Sequence, residues 1–327
     1  MMCCTAPVPP VSRTDGMQNT AKRKHRTLTI VSQNVRGLKS DERIEEICLS
    51  MNQRKIFATC VQETWRSNNE SLQHGNCCIL ATGLKPENNS RRGSQGVGII
   101  LSPAATDSWK AAGSEIHNTF GGRVMAIRLL VKDHQGRDVY IFLVTAYAPV
   151  GAADNSIWED YFQNLDECVN HKKADDILII GCDTNSSMGS ANQNSSIGLF
   201  GIPHINDSGR RFASHLSINN LVAATTCFRK RNYGTWIHPR SKRIHQIDHF
   251  ITEKRTICRV SDAGVTGQLV GSDHLAIKCK LSIMLRLKKA TPIQQKLALI
   301  DCNVLSDPQA REAFCKSVLE TINKSSD

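Results

Sequence analysis

Ile177-Leu178-Ile179-Ile180-Gly181-Cys182-Asp183-Thr184-Asn185 decides the fold class, because an apolar run of strand length ends there in a carboxylate and a carboxamide. Asp175-Asp176 closes a turn just before it, so the run reads as a buried strand with a polar tip. The arrangement recurs. Ser32-Gln33-Asn34-Val35-Arg36-Gly37-Leu38 follows Leu28-Thr29-Ile30-Val31, Glu63 closes the run Ile56-Phe57-Ala58-Thr59-Cys60-Val61-Gln62, and Gly271-Ser272-Asp273-His274 lies near the end. Strand tips bearing carboxylate, amide and imidazole suit one divalent ion and one phosphate held together. A hydrolase that cuts phosphodiesters needs all of these groups, and a structural protein needs none.

Working outward from these tips, Asp41 caps a predicted helix in which Ile44, Ile47, Cys48 and Met51 recur at i, i+3, i+4 and i+7, with Glu45, Glu46 and Arg54 outward. Residues 82 to 95 are rich in Gly, Asn, Ser and Arg and read as a surface loop before the strand Val97-Gly98-Ile99-Ile100-Leu101. Met125, Ile127, Leu129 and Val131 alternate along one strand, and Val139, Ile141, Leu143 and Thr145 along the next. Asp133-His134-Gln135-Gly136 is the turn of that hairpin. Trp158, Phe162 and Leu165 mark one side of a helix over about Ser156 to Asn170. A polar loop from Ser186 to Ser208 leads to a helix with Phe212, Leu216 and Ile218 inward, and short strands follow from Leu221 to about Met284.

The expected organisation is a disordered basic tail over 1–26, one large domain over 27–283, and a linker over 284–327 with a helix starting at Asp307-Pro308. Phe314, Val318 and Ile322 give that helix an apolar stripe, a core or docking face. Lysine and arginine number 41 against 30 acids, a net charge of +11, which favours a polyanionic partner such as nucleic acid or an acidic membrane surface. The 13 cysteines show no disulfide framework or paired zinc motif and read as reduced thiols of an intracellular protein. No apolar run approaches the roughly 20 residues that span a bilayer, so no transmembrane segment is predicted, and of the two polyanions nucleic acid, not a membrane, is the expected partner. Lys22-Arg23-Lys24-His25-Arg26 ends the tail as a solvated run or a nuclear address.

Taken singly, the tips also fit bland roles: Asn34 before a turn, Glu63 at a helix start, Asp183 and Asn185 as loop residues, Asp273 and His274 as a surface pair. Tyr147-Ala148-Pro149 and Gln246-Ile247-Asp248-His249-Phe250 complete an ordered set. With that set the chain closely resembles the endonuclease/exonuclease/phosphatase superfamily, and within it the apurinic-like endonuclease domain of LINE-type (non-LTR) retrotransposons, over roughly residues 27 to 283. The resemblance implies an α/β fold: a four-layered α/β sandwich of two mixed β-sheets flanked by helices, the DNase I-like arrangement.

It also implies roles. Glu63 matches the main Mg²⁺ ligand and Asp273 a second metal-side carboxylate, with Mn²⁺ as a substitute ion. Asn34 matches the amide beside metal and water, Tyr147 the phenol on the scissile phosphate, Asp183 the residue that orients or deprotonates the attacking water, and Asn185 an amide on the phosphoryl oxygens. His274 matches the phosphate-binding imidazole and Asp248 the carboxylate that orients it. The implied reaction is Mg-dependent hydrolysis of a DNA phosphodiester that leaves a 3′-hydroxyl end.

Three departures stand out. Cys182 replaces a glycine before the aspartate, Arg36 sits where repair-type relatives carry an acid, and Val150 sits where asparagine is frequent. DNA contact is expected from Arg229, Lys230, Arg231, Tyr233 and Trp236, continuing to Arg240, Lys242 and Arg243, and from Arg91 and Arg92 in the polar loop. Trp236 equally fits the core, and Arg123 fits either a structural or a phosphate-positioning role. His245 and His249, about 13 Å apart if on one strand, are poor zinc partners. Alternatives are a superfamily phosphatase or RNase acting on another phosphoester, and a decayed DNA-binding scaffold. The C-terminal helix is expected to meet a partner, or a reverse transcriptase module absent from this chain.

Overall fold

The computed structural model describes residues 27–67, 69–84, 94–190 and 196–283, and beyond these 307–309, 311–313 and 315–316. The chain divides into a unit over Met1–Met284 and a second over Leu285–Asp327. In the second, helical turns begin at Pro308, and their described residues are exposed. The expected tail over 1–26, Arg91, Arg92, Phe314, Val318 and Ile322 lie outside the described residues.

The first unit opens with a strand–helix–strand crossover: β1 (Thr27–Asn34), α1 (Asp41–Gln53) and β2 (Ala58–Gln62), with β1 and β2 parallel. Antiparallel strands β3 (Glu70–His74), β4 (Cys77–Leu84) and β5 (Ser94–Leu101) extend that sheet, and α2 (Pro103–Ala111) leaves it. A second sheet grows from β6 (Ile116–Phe120), β7 (Val124–Lys132) and β8 (Asp138–Tyr147). There α3 (Asn155–Asn170) crosses over to β9 (Ile177–Asp183), parallel to β8. After α4 (Asp207–Ile218) come β10 (Leu221–Ala223), the short hairpin β11 (Trp236–Ile237) and β12 (Ile244–His245), then β13 (Asp248–Glu253), β14 (Val260–Val265) and β15 (Ile277–Ser282).

The strands pair as β14-β15-β1-β2-β5-β4-β3 and as β10-β13-β9-β8-β7-β6. Both sheets are mixed, because each carries one parallel pair made by a helical crossover. They pack face to face: Gln62 Nε2 donates across the interface to Thr145 Oγ1 (3.1 Å) and to the Gly181 carbonyl (3.2 Å). Gly181 is what permits that approach, since a Cβ there would lie 2.9 Å from Cys60 Cβ. Outside the second sheet, Trp158, Tyr161, Leu165, Phe212 and Leu216 of α3 and α4 pack on Phe142, Val144, Leu178 and Ile180. Outside the first, Ile44, Ile47 and Met51 of α1 pack on Val31, Val61, Ile79 and Ile100. Helix, sheet, sheet and helix make the α/β sandwich expected from the sequence. Each large apolar side chain buried in these layers contributes about 1.5–3 kcal/mol.

Several local expectations need correction. Asp41 is the first helical residue of α1, not its cap; Ser40 holds the N-cap position, and Asp41 and Glu42 instead favour the positive end of the helix dipole. The loop expected over 82 to 95 is shorter, because Thr82 pairs with Val97 and, past a bulge, Leu84 with Ser94. Ile218 is 78% exposed, lying off the face that buries Phe212 and Leu216. His245 and His249 occupy two different strands, β12 and β13, separated by Gln246 and Ile247.

Candidate active site

Side chains alternate between the faces of a strand, so position and parity together fix which residues meet. Asn34 ends β1, Tyr147 ends β8 and Asp183 ends β9, all at the carboxyl ends of parallel strands, where ligand crevices of α/β sheets form. Tyr147 and Asp248 each stand directly opposite Asp183 in register, on either side of β9, and so share its face. Asn34 faces them across the two sheets. Its Nδ2 donates to Glu63 Oε1 and to Asp183 Oδ2, both at 2.8 Å. Tyr147 donates its hydroxyl to the same Glu63 Oε1 (3.1 Å). Residues up to 149 positions apart are thereby tied through one amide and one carboxylate.

His274 arrives on the loop before β15. Ser272 Oγ donates to the Asn34 carbonyl (2.7 Å) and accepts from the His274 N–H (3.1 Å). Gln33 Nε2 donates to the carbonyls of Val270 and His274, which fixes the loop to the edge of β1. Asp248 then meets His274 Nδ1 at 3.0 Å, with both side chains almost wholly buried. Thr235 Oγ1 accepts from the N–H groups of Ile247 and Asp248, so β13 starts at a fixed point. Sequence reasoning missed Gln33, Thr235 and the loop-pinning role of Ser272. The available signal for Gln33 was an amide at the end of an apolar strand, adjacent to the tip residue.

Burial and the nearby Asp248 charge push the Asp183 carboxyl up to about 7. Burial alone would lower His274, but the Asp248 carboxylate outweighs it and raises the imidazole to about 9. The ligand atoms of Asp183, Asp248 and His274 all lie within 4.8 Å of one another, a group able to hold a metal ion. Its hydrogen bonds are already made internally: Asn34 and the Asn185 N–H donate to the two Asp183 oxygens, and His274 Nδ1 is bound to Asp248. That pattern suits moving a proton better than caging an ion.

Glu63 and Asp273, the expected metal-side pair, lie on either side of Arg36. Arg36 Nη1 donates to Asp273 Oδ2 (2.7 Å), and its Nε is 3.9 Å from Glu63 Oε2. Trp236 Nε1 also donates to Asp273 Oδ2 (3.1 Å). Although burial pushes the Asp273 carboxyl up, the bonds from Trp236 and Arg36 hold it below the usual range. Asn185 Nδ2 donates to the Ala148 carbonyl (2.9 Å), in a left-handed backbone at φ 46°. Arg123 Nη1 donates to the Tyr147 carbonyl (3.2 Å) and lies over the Tyr147 ring, which places it behind the phenol.

The expected DNA-facing residues divide. Arg229 and Arg231 are exposed, while Lys230 is ion-paired with Asp262 and its backbone N–H donates to the Tyr233 hydroxyl. Trp236 is neither core nor free: it is half-buried, pairs by a backbone bridge with His274 and bonds Asp273. Cys182 lies in regular β9 with its side chain buried against Tyr161, whose hydroxyl is 3.4 Å from the sulfur. Its backbone has no positive φ, so the position does not require a glycine.

No family model matches the chain. Bovine (Bos taurus) craniofacial development protein 2 is 27% identical over 202 residues, 60% of this chain and 33% of that protein, so the chain spans about a third of the curated relatives it matches. AP endonuclease LMAP from Leishmania major superposes with a TM-score of 0.57 at 15% identity, covering 84% of this chain and 92% of that one. The endonuclease domain of TRAS1, a telomere-specific non-LTR retrotransposon, superposes with a TM-score of 0.53 at 12% identity, covering 79% and 99%. Likeness at such identities is likeness of fold, and it agrees with the two flanked mixed sheets: this chain has the DNase I-like fold of the endonuclease/exonuclease/phosphatase superfamily.

Proposed function

We propose that this chain is a metal-dependent phosphodiester hydrolase that nicks DNA, the endonuclease module of a non-LTR retrotransposon or of a gene derived from one. The observation that carries the reading is the convergence of Asn34, Glu63, Tyr147, Asp183, Asp248 and His274 at one end of the sandwich. Asp183 takes a proton from water, which attacks phosphorus in line. The bond from phosphorus to the 3′ oxygen breaks and that oxygen takes a proton from solvent, leaving a 5′-phosphate and a 3′-hydroxyl. His274, kept charged by Asp248, donates to the phosphoryl oxygens as negative charge builds there. Asn34 holds Asp183 and Glu63 at a fixed separation.

Glu63 and Asp273 would hold Mg²⁺, or Mn²⁺ in its place; carboxylate oxygens suit a hard cation, and the pair already faces a positive charge in Arg36. Such an ion supplies stabilisation of charge on the leaving oxygen. Exposed Arg229 and Arg231 and the Trp236 hairpin then meet the DNA backbone. A nuclear location follows from a DNA substrate, and a partner for the helix after Pro308 belongs to the same proposal.

Supercoiled plasmid tests it. Nicking is expected with Mg²⁺ and not with EDTA, with ends that a polymerase extends directly, and is lost in Asp183→Asn and His274→Ala. Equal relaxation by wild type and both variants would dispose of the assignment. Faster turnover of poly(A) or small phosphate esters than of duplex DNA would move the substrate to the phosphatase or RNase class. Two observations favour a catalytically silent DNA binder as second reading: Asp183 has no exposed surface, and Arg36 already offsets one of the two charges of Glu63 and Asp273. Tight DNA binding without turnover in Mg²⁺ or Mn²⁺ would select it.

A further inference from the structure

Arg36 reaches its place by an unusual route. It adopts φ 47°, a left-handed conformation uncommon for a bulky side chain, and its N–H donates to Asn34 Oδ1 (3.1 Å). Glu63, at the end of the neighbouring strand, sits at φ 52°. Two unfavourable backbone conformations just past the ends of the adjacent parallel strands β1 and β2 therefore flank one contact, a guanidinium between two carboxylates. The Arg36 side chain is 51% exposed against 18% for Glu63 and 31% for Asp273, so the cation is the member of the trio free to rotate into solvent.

Charge sets how an added ion fares here. Glu63 and Asp273 carry two negative charges, and with Arg36 seated only one remains uncompensated. A divalent ion added to that trio meets a like charge within a few ångströms, and both compete for the same carboxylate oxygens. We propose that Arg36 is a built-in cation occupying the place between Glu63 and Asp273 that a divalent ion needs, so that the ion is held only by exchange with the arginine. This rests on the reading of Glu63 and Asp273 as ion ligands. It goes beyond that reading in making Arg36 the residue that sets ion affinity.

Mn²⁺ titration of the full chain, followed by the electron paramagnetic resonance signal of the free ion, tests the exchange. Arg36→Asn and Arg36→Gly both accept a positive φ and both remove the charge, so a folding defect specific to one side chain is distinguished by the other. Each is expected to bind Mn²⁺ on the order of tenfold more tightly than wild type, and Glu63→Gln added to Arg36→Asn is expected to erase the gain. Affinities no tighter than wild type in both arginine variants, with Glu63→Gln still weakening binding, would overturn the exchange and leave the ion site standing. Mn²⁺ affinity indifferent to Glu63→Gln in every background would instead overturn the ion assignment, and the exchange with it.

Discussion

At the scale of single residues, Asp248 governs two neighbours in opposite chemical senses. Its negative charge, together with burial, raises the Asp183 carboxyl to about 7, because a second anion nearby is unfavourable. The same charge raises the His274 imidazole to about 9, because a cation nearby is favourable. Under the proposed hydrolysis, Asp183 as base must be deprotonated and His274 facing the phosphate must be charged. The nicking rate is therefore expected to climb with pH up to about 7, level off, and fall above about 9. Asp248→Asn removes the charge, so both limbs should move to lower pH while the fold persists. Single-turnover rates on one nicking substrate from pH 5 to 10 read this directly; limbs that stay in place in the variant would show that Asp248 sets neither group. The side chains that converge here were legible as candidates in the sequence because each ends or adjoins an apolar run. Their partners were not, since Arg36 to Asp273 spans 237 positions and no local pattern encodes such a contact.

Among the elements, legibility followed periodicity. The stripe of α1 and the alternation of β7 and β8 announce themselves, because one face of each is buried and the register is fixed by it. Edge strand β3, Glu-Ser-Leu-Gln-His, does not, since polar residues on a sheet edge look like a loop. Nor do β11 and β12, two residues each, which are held by Thr235 and Trp236 instead of by any run of their own. The sequence marks Cys182 as the departure from a glycine, but it gives no sign that the glycine before it is the one the packing requires. Gly181, not Cys182, is the position where the sheets touch, with Cys60 and Ser32 side chains within 3.1 Å of any added Cβ. Gly181→Ala should cost about 1–3 kcal/mol by overpacking. Cys182→Gly, which restores the glycine of related motifs, should also destabilise, by about 1–3 kcal/mol, since it empties a buried site and loosens a strand. Denaturant unfolding decides between this and the alternative, in which Cys182→Gly stabilises and the loop beyond it was strained.

For the molecule as a whole, the excess of 41 basic over 30 acidic residues becomes informative only once its placement is known. The hairpin of β11 and β12 is anchored at the site through Trp236, which bonds Asp273 and bridges His274, and its turn carries exposed Arg240, Lys242 and Arg243. Lys230, by contrast, is neutralised by Asp262 and packs over Gly264. On the proposed reading, and among the described residues of this basic segment, the cations left to meet a phosphate backbone are those of the hairpin tip with Arg229 and Arg231, and not Lys230. Binding to DNA through such contacts releases condensed counterions, so the logarithm of affinity falls linearly with that of salt, by about 0.9 per phosphate neutralised. Changing Arg240, Lys242 and Arg243 together to Gln should weaken binding of a catalytically silenced Asp183→Asn chain and flatten that slope by up to about 3. Lys230→Gln should leave the slope unchanged and lower stability instead. Fluorescence anisotropy of a duplex across salt concentrations measures both, and the assignment of the DNA face to the hairpin fails if Lys230→Gln flattens the slope more than the triple change does.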